Sequence, residues 1–332
     1  MPPSDPPPAV PGRAFGPLSP LLTIRPIAYI AVLLVAMASG IVLGLRRSGV
    51  FACPANEYGT DRYLAYCNAA NYADYDHGAF WFGFEPDVIA SAIRAQVLFI
   101  GNSRMQFGLS TQALGDWFSS AGVSYFMLGF GYNGNYLFEG PLVDKLKQAA
   151  KVYIINLDLF FDPVETPPAR AVLHDGGARA RYAQKRFWQR LHKPVCSTWP
   201  SLCGNDVSFF RSRSTGSWAV TGEDFPDKPV TYDEQPDQEL VVAYVRAGRE
   251  FLPQLPVRRE CIVLTSVPTV DSSYGTARSV ATKLGLPLVA PELPDLNTFD
   301  GSHLDEASAK RWSAAFIDAA APHIRACLEP TQ

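Results

Sequence analysis

The chain has 332 residues, 47% of them hydrophobic and 18% charged, with a formal net charge of −3. That near-neutral balance lacks the electrostatic footprint of a nucleic-acid binder, and the five histidines and six cysteines form neither a CxxC pair nor an HExxH, leaving a metal site without support. Size and composition suit one membrane segment plus one large globular domain.

Residues 1–20 hold eight prolines and little periodic apolar pattern. Residues 1–23 are therefore expected to be a disordered tail, too poor in burial to offset ordering entropy. Ile27 to Leu45 then runs without a charge and is closed by Arg46-Arg47. At ~1.5 Å per residue this stretch covers about 28 Å, near the ~30 Å hydrocarbon core. Residues 24–47 are expected to form a transmembrane anchor that meets the lipid bilayer through residues 27–45. A buried core helix or a cleaved signal sequence is the competing reading. Against the latter, the apolar stretch exceeds the roughly 7–15 residues of a signal h-region, and no A-x-A site follows. Arg13 and Arg25 before the segment balance Arg46 and Arg47 after it, so the positive-inside rule leaves orientation tied.

The cysteines bear on orientation. Cys53 and Cys67 flank a short loop after the membrane segment, and Cys196 and Cys203 flank another. Cys261 opens a predicted strand and Cys327 closes the last predicted helix, at the same sheet edge, which makes them a plausible third pair. Six cysteines that can pair in this way point to an oxidising compartment, against the alternative of six unrelated buried thiols. The globular part, residues 48–330, is accordingly expected outside the cytoplasmic membrane, in the periplasm or its equivalent.

Residues 50–84 are rich in Tyr, Asn, Asp and Phe without a clean period, and are expected to wrap the sheet or shape a cleft. A helix over Glu85–Ala95, with Pro86 in its first turn, leads to Val97-Leu-Phe-Ile100, an apolar run that reads as a strand buried on both faces. Gly101 ends it and permits a tight turn. Ser103 follows, with helical sequence from Ser110 to Ala121. A second strand, Val123–Leu128, ends in the glycine-rich loop Gly129–Gly134, which can bring backbone N–H groups close to a reacting carbonyl oxygen. A helix over Tyr136–Ala150 and a strand over Val152–Leu157 come next, then Asp158.

Residues 160–236 break this rhythm and read as an insertion or cap without strong strands. From Arg170 to Lys193 they carry seven Lys/Arg against one acid, Asp175. That run suits an anionic polysaccharide, lipid headgroups, or simply a solvated helix face. Helical pattern returns over Gln238–Leu255. Then follow a strand over Cys261–Ser266, a helix over Tyr274–Leu284, a short strand at Leu288-Val289, a loop at Asp300–Leu304 and a final helix over Glu306–Ala326. Strands alternating with helices predict an α/β fold, a three-layer sandwich with a mainly parallel sheet, preceded by one transmembrane helix. Reactive groups in such folds gather at the carboxyl ends of the strands.

Ser103, Asp300 and His303 form a candidate constellation at that edge. A serine hydroxyl needs a base to remove its proton as it attacks, and the imidazole needs a carboxylate to hold its tautomer. Asp300 and His303 lie on one turn before a long helix, and Ser103 ends the first sheet strand.

These motifs resemble the SGNH (GDSL-type) hydrolase family over residues 95–325, the insertion excepted. Gly101-Asn102-Ser103 matches the nucleophile block, with Asn in place of Asp, and Asp300-Gly-Ser-His303-Leu matches the acid/base block. The resemblance implies Ser103 as nucleophile, His303 as general base, Asp300 as its orienting partner, and an oxyanion hole from the Ser103 N–H and the Gly129–Gly131 turn. The family's Gly-x-Asn-Asp block is replaced by Asn156-Leu-Asp158-Leu159. A carboxylate at Asp158 would repel a developing oxyanion, so Asn156 or Asn133 is expected to substitute. Together with an extracytoplasmic anchor, this is similar to the branch that modifies envelope polymers, including alginate O-acetyltransferase-like proteins and those that help transfer D-alanine to teichoic acids. The implied function is a serine O-acyltransferase or esterase on acyl groups of an envelope or exported polysaccharide, without a cofactor, supplied by a multi-span membrane partner. A general periplasmic esterase or lipase is one alternative; an inactive SGNH-fold scaffold that binds polymer is the other.

Overall fold

The structure, a computed structural model, describes residues 26–221 and 227–329; the expected tail over residues 1–23 lies outside them. Two units are distinct, one up to Arg47 and one from Ser48 onward. In the first, helix α1 (Pro26–Arg47) has 22 residues, none of them buried by protein. An 18-residue window within it has a mean hydropathy of 2.4, and the helix is long and apolar enough to cross a membrane. Its length and composition suit a membrane anchor or a signal segment.

The second unit begins with β1 (Arg62–Cys67), β2 (Ala73–Asp74), α2 (Asp76–Trp81) and α3 (Pro86–Arg94). Next come β3 (Val97–Asn102), α4 (Ser103–Leu109), α5 (Gln112–Ala121), β4 (Tyr125–Phe130), α6 (Tyr136–Leu146) and β5 (Val152–Asn156). The segment expected as an insertion holds α7 (Pro167–His174), α8 (Ala178–Thr198), β6 (Ser208–Ser212), β7 (Trp218–Thr221) and β8 (Lys228–Pro229). The chain ends through α9 (Gln238–Phe251), β9 (Ile262–Thr265), α10 (Tyr274–Leu284), β10 (Asn297–Thr298) and α11 (Glu306–Leu328).

The central sheet has the order β4-β3-β5-β9 and every pairing in it is parallel. All six residues of β3 are buried, as a central parallel strand requires. Val97 and Phe99 face a core shared with Phe118 of α5 and Trp312 and Phe316 of α11. Leu98 and Ile100 alternate to the opposite face. Gly140 of α6 admits the Phe251 ring of α9, and Gly248 of α9 lies against Leu284 of α10. The strand expected at Leu288-Val289 is reduced to one parallel bridge between Leu288 and Leu264.

Residues 50–84 do shape a cleft, as one of the two expectations had it, with Tyr66 and Asp74 in its lining. The expectation that the insertion lacks strong strands is corrected. The two segments combine: β2-β1-β6-β7 form a second, antiparallel sheet. Its strand signal is weak locally because the two halves lie more than a hundred residues apart and stabilise each other only on pairing.

Arg211 of β6 fastens that sheet to the first. Its side chain is fully buried, as is nearly all of Asp76. Its Nε donates to Asp76 Oδ1 and Oδ2 at 3.1 and 3.0 Å, and Nη2 donates to Oδ2 at 2.5 Å. Nη1 donates to the Met127 and Gly216 carbonyls at 2.7 and 3.0 Å, and Nη2 also donates to the Gly129 carbonyl. The Tyr63 hydroxyl donates to Asp76 Oδ1 at 2.5 Å. All guanidinium donors are thus used.

The three expected disulfides are present: Cys53–Cys67, Cys196–Cys203 and Cys261–Cys327. The last ties the end of α11 to the start of β9.

Arg211→Met leaves Asp76 buried without its cation and is expected to cost about 3–5 kcal/mol of stability. Adding Asp76→Asn is expected to return part of that loss. Urea unfolding midpoints of the single and double variants check both.

Candidate active site

The nucleophile turn differs from expectation in one way that matters. The helix after β3 starts at Ser103 itself, not at Ser110. The Asn102 side chain accepts the Arg104 N–H at 3.0 Å and so caps α4. Ser103 is then the first helical residue, in the turn whose N–H groups have no partner inside the helix. Ser110 instead ends α4, and α5 is capped by Thr111. Gly101 has no room for a side chain: a Cβ there would lie 2.9 Å from Asn156 Cβ. Its N–H donates to Glu139 Oε2 at 3.1 Å, which holds the turn from below.

The base arrives from the opposite end of the chain. Thr298 and Leu304 bridge antiparallel and close the loop between them. The Thr298 hydroxyl accepts the Gly301 N–H at 3.0 Å, and Gly301 takes a φ of 91°, which favours glycine. Asp305 caps α11 by accepting the Ser308 N–H at 2.6 Å. Within this frame Asp300 Oδ1 accepts the Ser302 and His303 N–H groups, each at 2.8 Å. Asp300 Oδ2 lies 2.7 Å from His303 Nδ1, and His303 Nε2 lies 2.9 Å from Ser103 Oγ. The structure thus brings together Ser103, His303 and Asp300 across 200 residues of chain. The imidazole is held between rings: Phe299 stacks on it at 5.6 Å and 16°, and Phe107 lies at 4.4 Å. Phe107 sits one helical turn after Ser103, on the same face of α4.

Ser103, Asp300 and His303 open onto a cleft of about 310 Å³. Its far wall comes from the second sheet and its neighbours, with Tyr66, Phe209 and Trp218 among the lining side chains. Phe209 stacks on Tyr66 at 5.0 Å and on Trp218 at 5.0 Å. Asp74 also lines the cleft; it is bound by His77 Nδ1 at 2.9 Å and by the Tyr182 hydroxyl at 2.8 Å.

The expected oxyanion residues divide. Gly131 lines the cleft. Gly129 does not; it lies in β4 and its carbonyl accepts from Gln106 Nε2 at 3.1 Å and from Arg211. Asn156 is fully buried beneath the turn. Its Oδ1 accepts the Val267 N–H at 3.0 Å and its Nδ2 points to Asn102 Oδ1 at 3.5 Å. Its amide is engaged there, so it cannot serve the cleft. Asn133 is exposed and outside the cleft lining.

Asp158 has a partner that the sequence reading missed. Arg104 Nη1 donates to its carboxylate, and Arg104 Nε donates to Ser302 Oγ at 3.0 Å. The Asp158 carbonyl accepts Asn102 Nδ2 at 2.6 Å. The charge expected to oppose an oxyanion is therefore countered by a guanidinium one residue from Ser103. Burial pushes the Asp158 carboxyl above its ordinary value, while Arg104 and His303 pull against that shift. Arg104 bridges the nucleophile block to the acid/base loop. The available signal was an arginine directly after the serine and an acid after β5, but only the fold makes them neighbours.

Compared with known proteins, the chain matches no protein-family model, no curated protein and no solved structure. The functional reading rests on the geometry and the chemistry it permits.

Burial raises the Asp300 carboxyl, but the His303 hydrogen bond and charge and the two N–H bonds outweigh it and hold the pKa below the ordinary value. A lowered native pKa adds stability above the unfolded value, about 4, and loses it as pH falls through the native value. The stability gap between the parent and Asp300→Asn is expected to be full near neutrality and to close in acid. Denaturant midpoints across pH measure it.

Proposed function

We propose that this chain is a membrane-anchored serine esterase or O-acyltransferase of the SGNH type. Its three-layer domain would act outside the cytoplasmic membrane on acyl groups of an envelope or exported polysaccharide. One observation carries the reading: Ser103 Oγ, His303 Nε2 and His303 Nδ1, Asp300 Oδ2 are in hydrogen-bond contact at 2.9 and 2.7 Å at the mouth of a cleft. Nucleophile, base and orienting acid are then in the relation that acyl transfer needs.

In this reading Ser103 Oγ attacks the ester carbonyl while His303 Nε2 takes the hydroxyl proton. Asp300 holds Nδ1–H and stabilises the imidazolium. The tetrahedral oxyanion receives the Ser103 N–H, at the start of α4, and an N–H of the Gly131 turn. As the C–O bond breaks, His303 gives its proton to the departing alcohol oxygen and leaves an acyl-serine. Water or a sugar hydroxyl then attacks, with His303 again as base, and frees Ser103. Arg104, paired to Asp158, keeps a positive charge beside the turn. The aromatic lining with scattered polar groups suits a sugar ring, whose C–H faces stack while its hydroxyls hydrogen-bond.

Disulfides at all six cysteines support an oxidising, extracytoplasmic setting. A single apolar helix cannot move acyl groups across a bilayer, so a transferase would draw on a multi-span membrane partner.

The full-length chain in detergent is expected to react with a fluorophosphonate probe and to cleave p-nitrophenyl acyl esters, with both activities lost in Ser103→Ala. Asp300→Asn is expected to lower turnover by about 10⁴. Absence of labelling in the parent chain would instead favour a polymer-binding scaffold. Acyl-oligosaccharide formed in excess of free acid, read by mass spectrometry, would separate transferase from esterase.

A further inference from the structure

The basic run of α8 is left unexplained by the active site. The helix carries six Lys/Arg and no Asp or Glu over its 21 residues. Its buried side, including Tyr182, Gln189 and His192, packs on the second sheet and the chain before it. There the Tyr182 hydroxyl donates to Asp74 Oδ2 at 2.8 Å, and Gln189 Nε2 donates to the Leu64 carbonyl at 2.5 Å.

The opposite side is apolar where water would favour polar residues. Phe187 is 55% exposed, and Leu191 lies one turn further on the same stripe, also exposed. Just past the helix end Trp199 is 58% exposed, with Leu202 exposed beside it. Arg179, Arg186, Arg190 and Lys193 fall along one flank of this stripe at helical spacing. Among the described residues no carboxylate forms an ion pair with any of these four, although Lys193 Nζ donates to the Gly59 carbonyl at 2.7 Å and Arg179 and Arg186 lie over the Phe84 ring; Arg181, by contrast, pairs with Asp175 at 2.7 Å. Aromatic and aliphatic side chains flanked by cations that no carboxylate neutralises are the composition of a helix that lies in a bilayer interface.

Covalent linkage supplies the second argument. The C-terminal half of α8 packs on the turn at Val50–Ala52: the Phe51 ring lies 5.3 Å from the His192 ring, and His192 Nε2 lies 2.9 Å from the Cys53 carbonyl. Only Ser48 and Gly49 separate Val50 from the last residue of α1. Chain length alone therefore keeps Val50 within about 10 Å of the end of the membrane segment.

We propose that the exposed face of α8, with Trp199 and Leu202, docks on the surface of the bilayer that α1 enters, and that anionic phospholipid headgroups are its ligand. The apolar stripe enters the acyl boundary and the four cations meet the headgroup phosphates. This inference rests on α1 being a retained anchor and does not require the active site.

The test uses the full-length chain reconstituted in phosphatidylcholine vesicles with and without phosphatidylglycerol. The Trp199 emission is isolated by difference from Trp199→Phe. In anionic vesicles it is expected to shift to the blue, to be shielded from aqueous acrylamide and to be quenched by lipids brominated near the headgroup. In neutral vesicles, or at high salt, it is expected to return to water-exposed behaviour. Arg186→Gln, Arg190→Gln and Lys193→Gln are expected to weaken docking about fivefold per charge removed, with the unfolding midpoint kept as a check on folding. The salt series needs no variant. Equal acrylamide access in every vesicle overturns the proposal, and so does shielding that ignores both lipid charge and salt. Vesicle flotation at high salt reports α1 insertion separately, so loss of the anchor is distinguished from loss of docking.

Discussion

A guanidinium with no access to water holds the parallel sheet that carries the candidate site to the second sheet. Arg211 reaches from β6 to Asp76 and to the carbonyls of Met127 and Gly129 in β4. A buried cation is tolerable only when every donor is matched, and here the matching groups come from three separate stretches of chain. Phe80, Phe130 and Trp218 add ring faces at 5.3 to 5.4 Å from the guanidinium. Beside it, the Met127 N–H donates to the Thr215 carbonyl in the β6–β7 turn at 2.8 Å, and much of the remaining contact between β4 and the second sheet is apolar packing, which does not fix register. With these polar contacts, the aromatic wall of the cleft is set at a defined distance from the parallel sheet that carries Ser103.

The candidate site depends on a similar economy of parts. Asn102 caps α4 with its Oδ1 and binds the Asp158 carbonyl with its Nδ2. Arg104 joins Asp158 to Ser302. Nucleophile turn, the loop after β5 and the acid/base loop are therefore linked by side chains as well as by the sheet. The imidazole has little freedom between Phe107 and Phe299, and its Nδ1 is held by a carboxylate that two backbone N–H groups fix. Such an arrangement needs little reorganisation, the condition under which the proposed base would be most effective.

Much of the central sheet was legible in the chain itself. Val97–Ile100 and Val152–Ile155 are continuous apolar runs, which identify buried parallel strands without knowledge of their neighbours. Tyr274–Leu284 begins and ends as its pattern predicts, because Gly285 stops it in a left-handed turn. The second sheet was not legible. The β1 sequence Arg-Tyr-Leu-Ala-Tyr-Cys and the β6 sequence Ser-Phe-Phe-Arg-Ser mix polar and apolar residues. Each becomes a strand only when the other, far along the chain, supplies its hydrogen bonds. In the site, Ser103, Asp300 and His303 stood out because their chemistry demands those residue types. Asn156 misled, since an amide after a strand reads as a donor whether it faces a cleft or the protein interior.

By itself the sequence determined the apolar N-terminal segment, the alternation of strands and helices, an even set of cysteines able to pair and the three candidate site side chains. Those features follow from local hydrophobic period, from turn chemistry and from which groups can take or hold a proton. Tertiary structure decided that Arg104 neutralises Asp158, that Asn156 is spent beneath the turn, and that Arg211 joins two sheets. Each of these is a question of which buried polar group meets which. A chain written in one dimension does not answer it, because the partners are chosen by packing between distant segments.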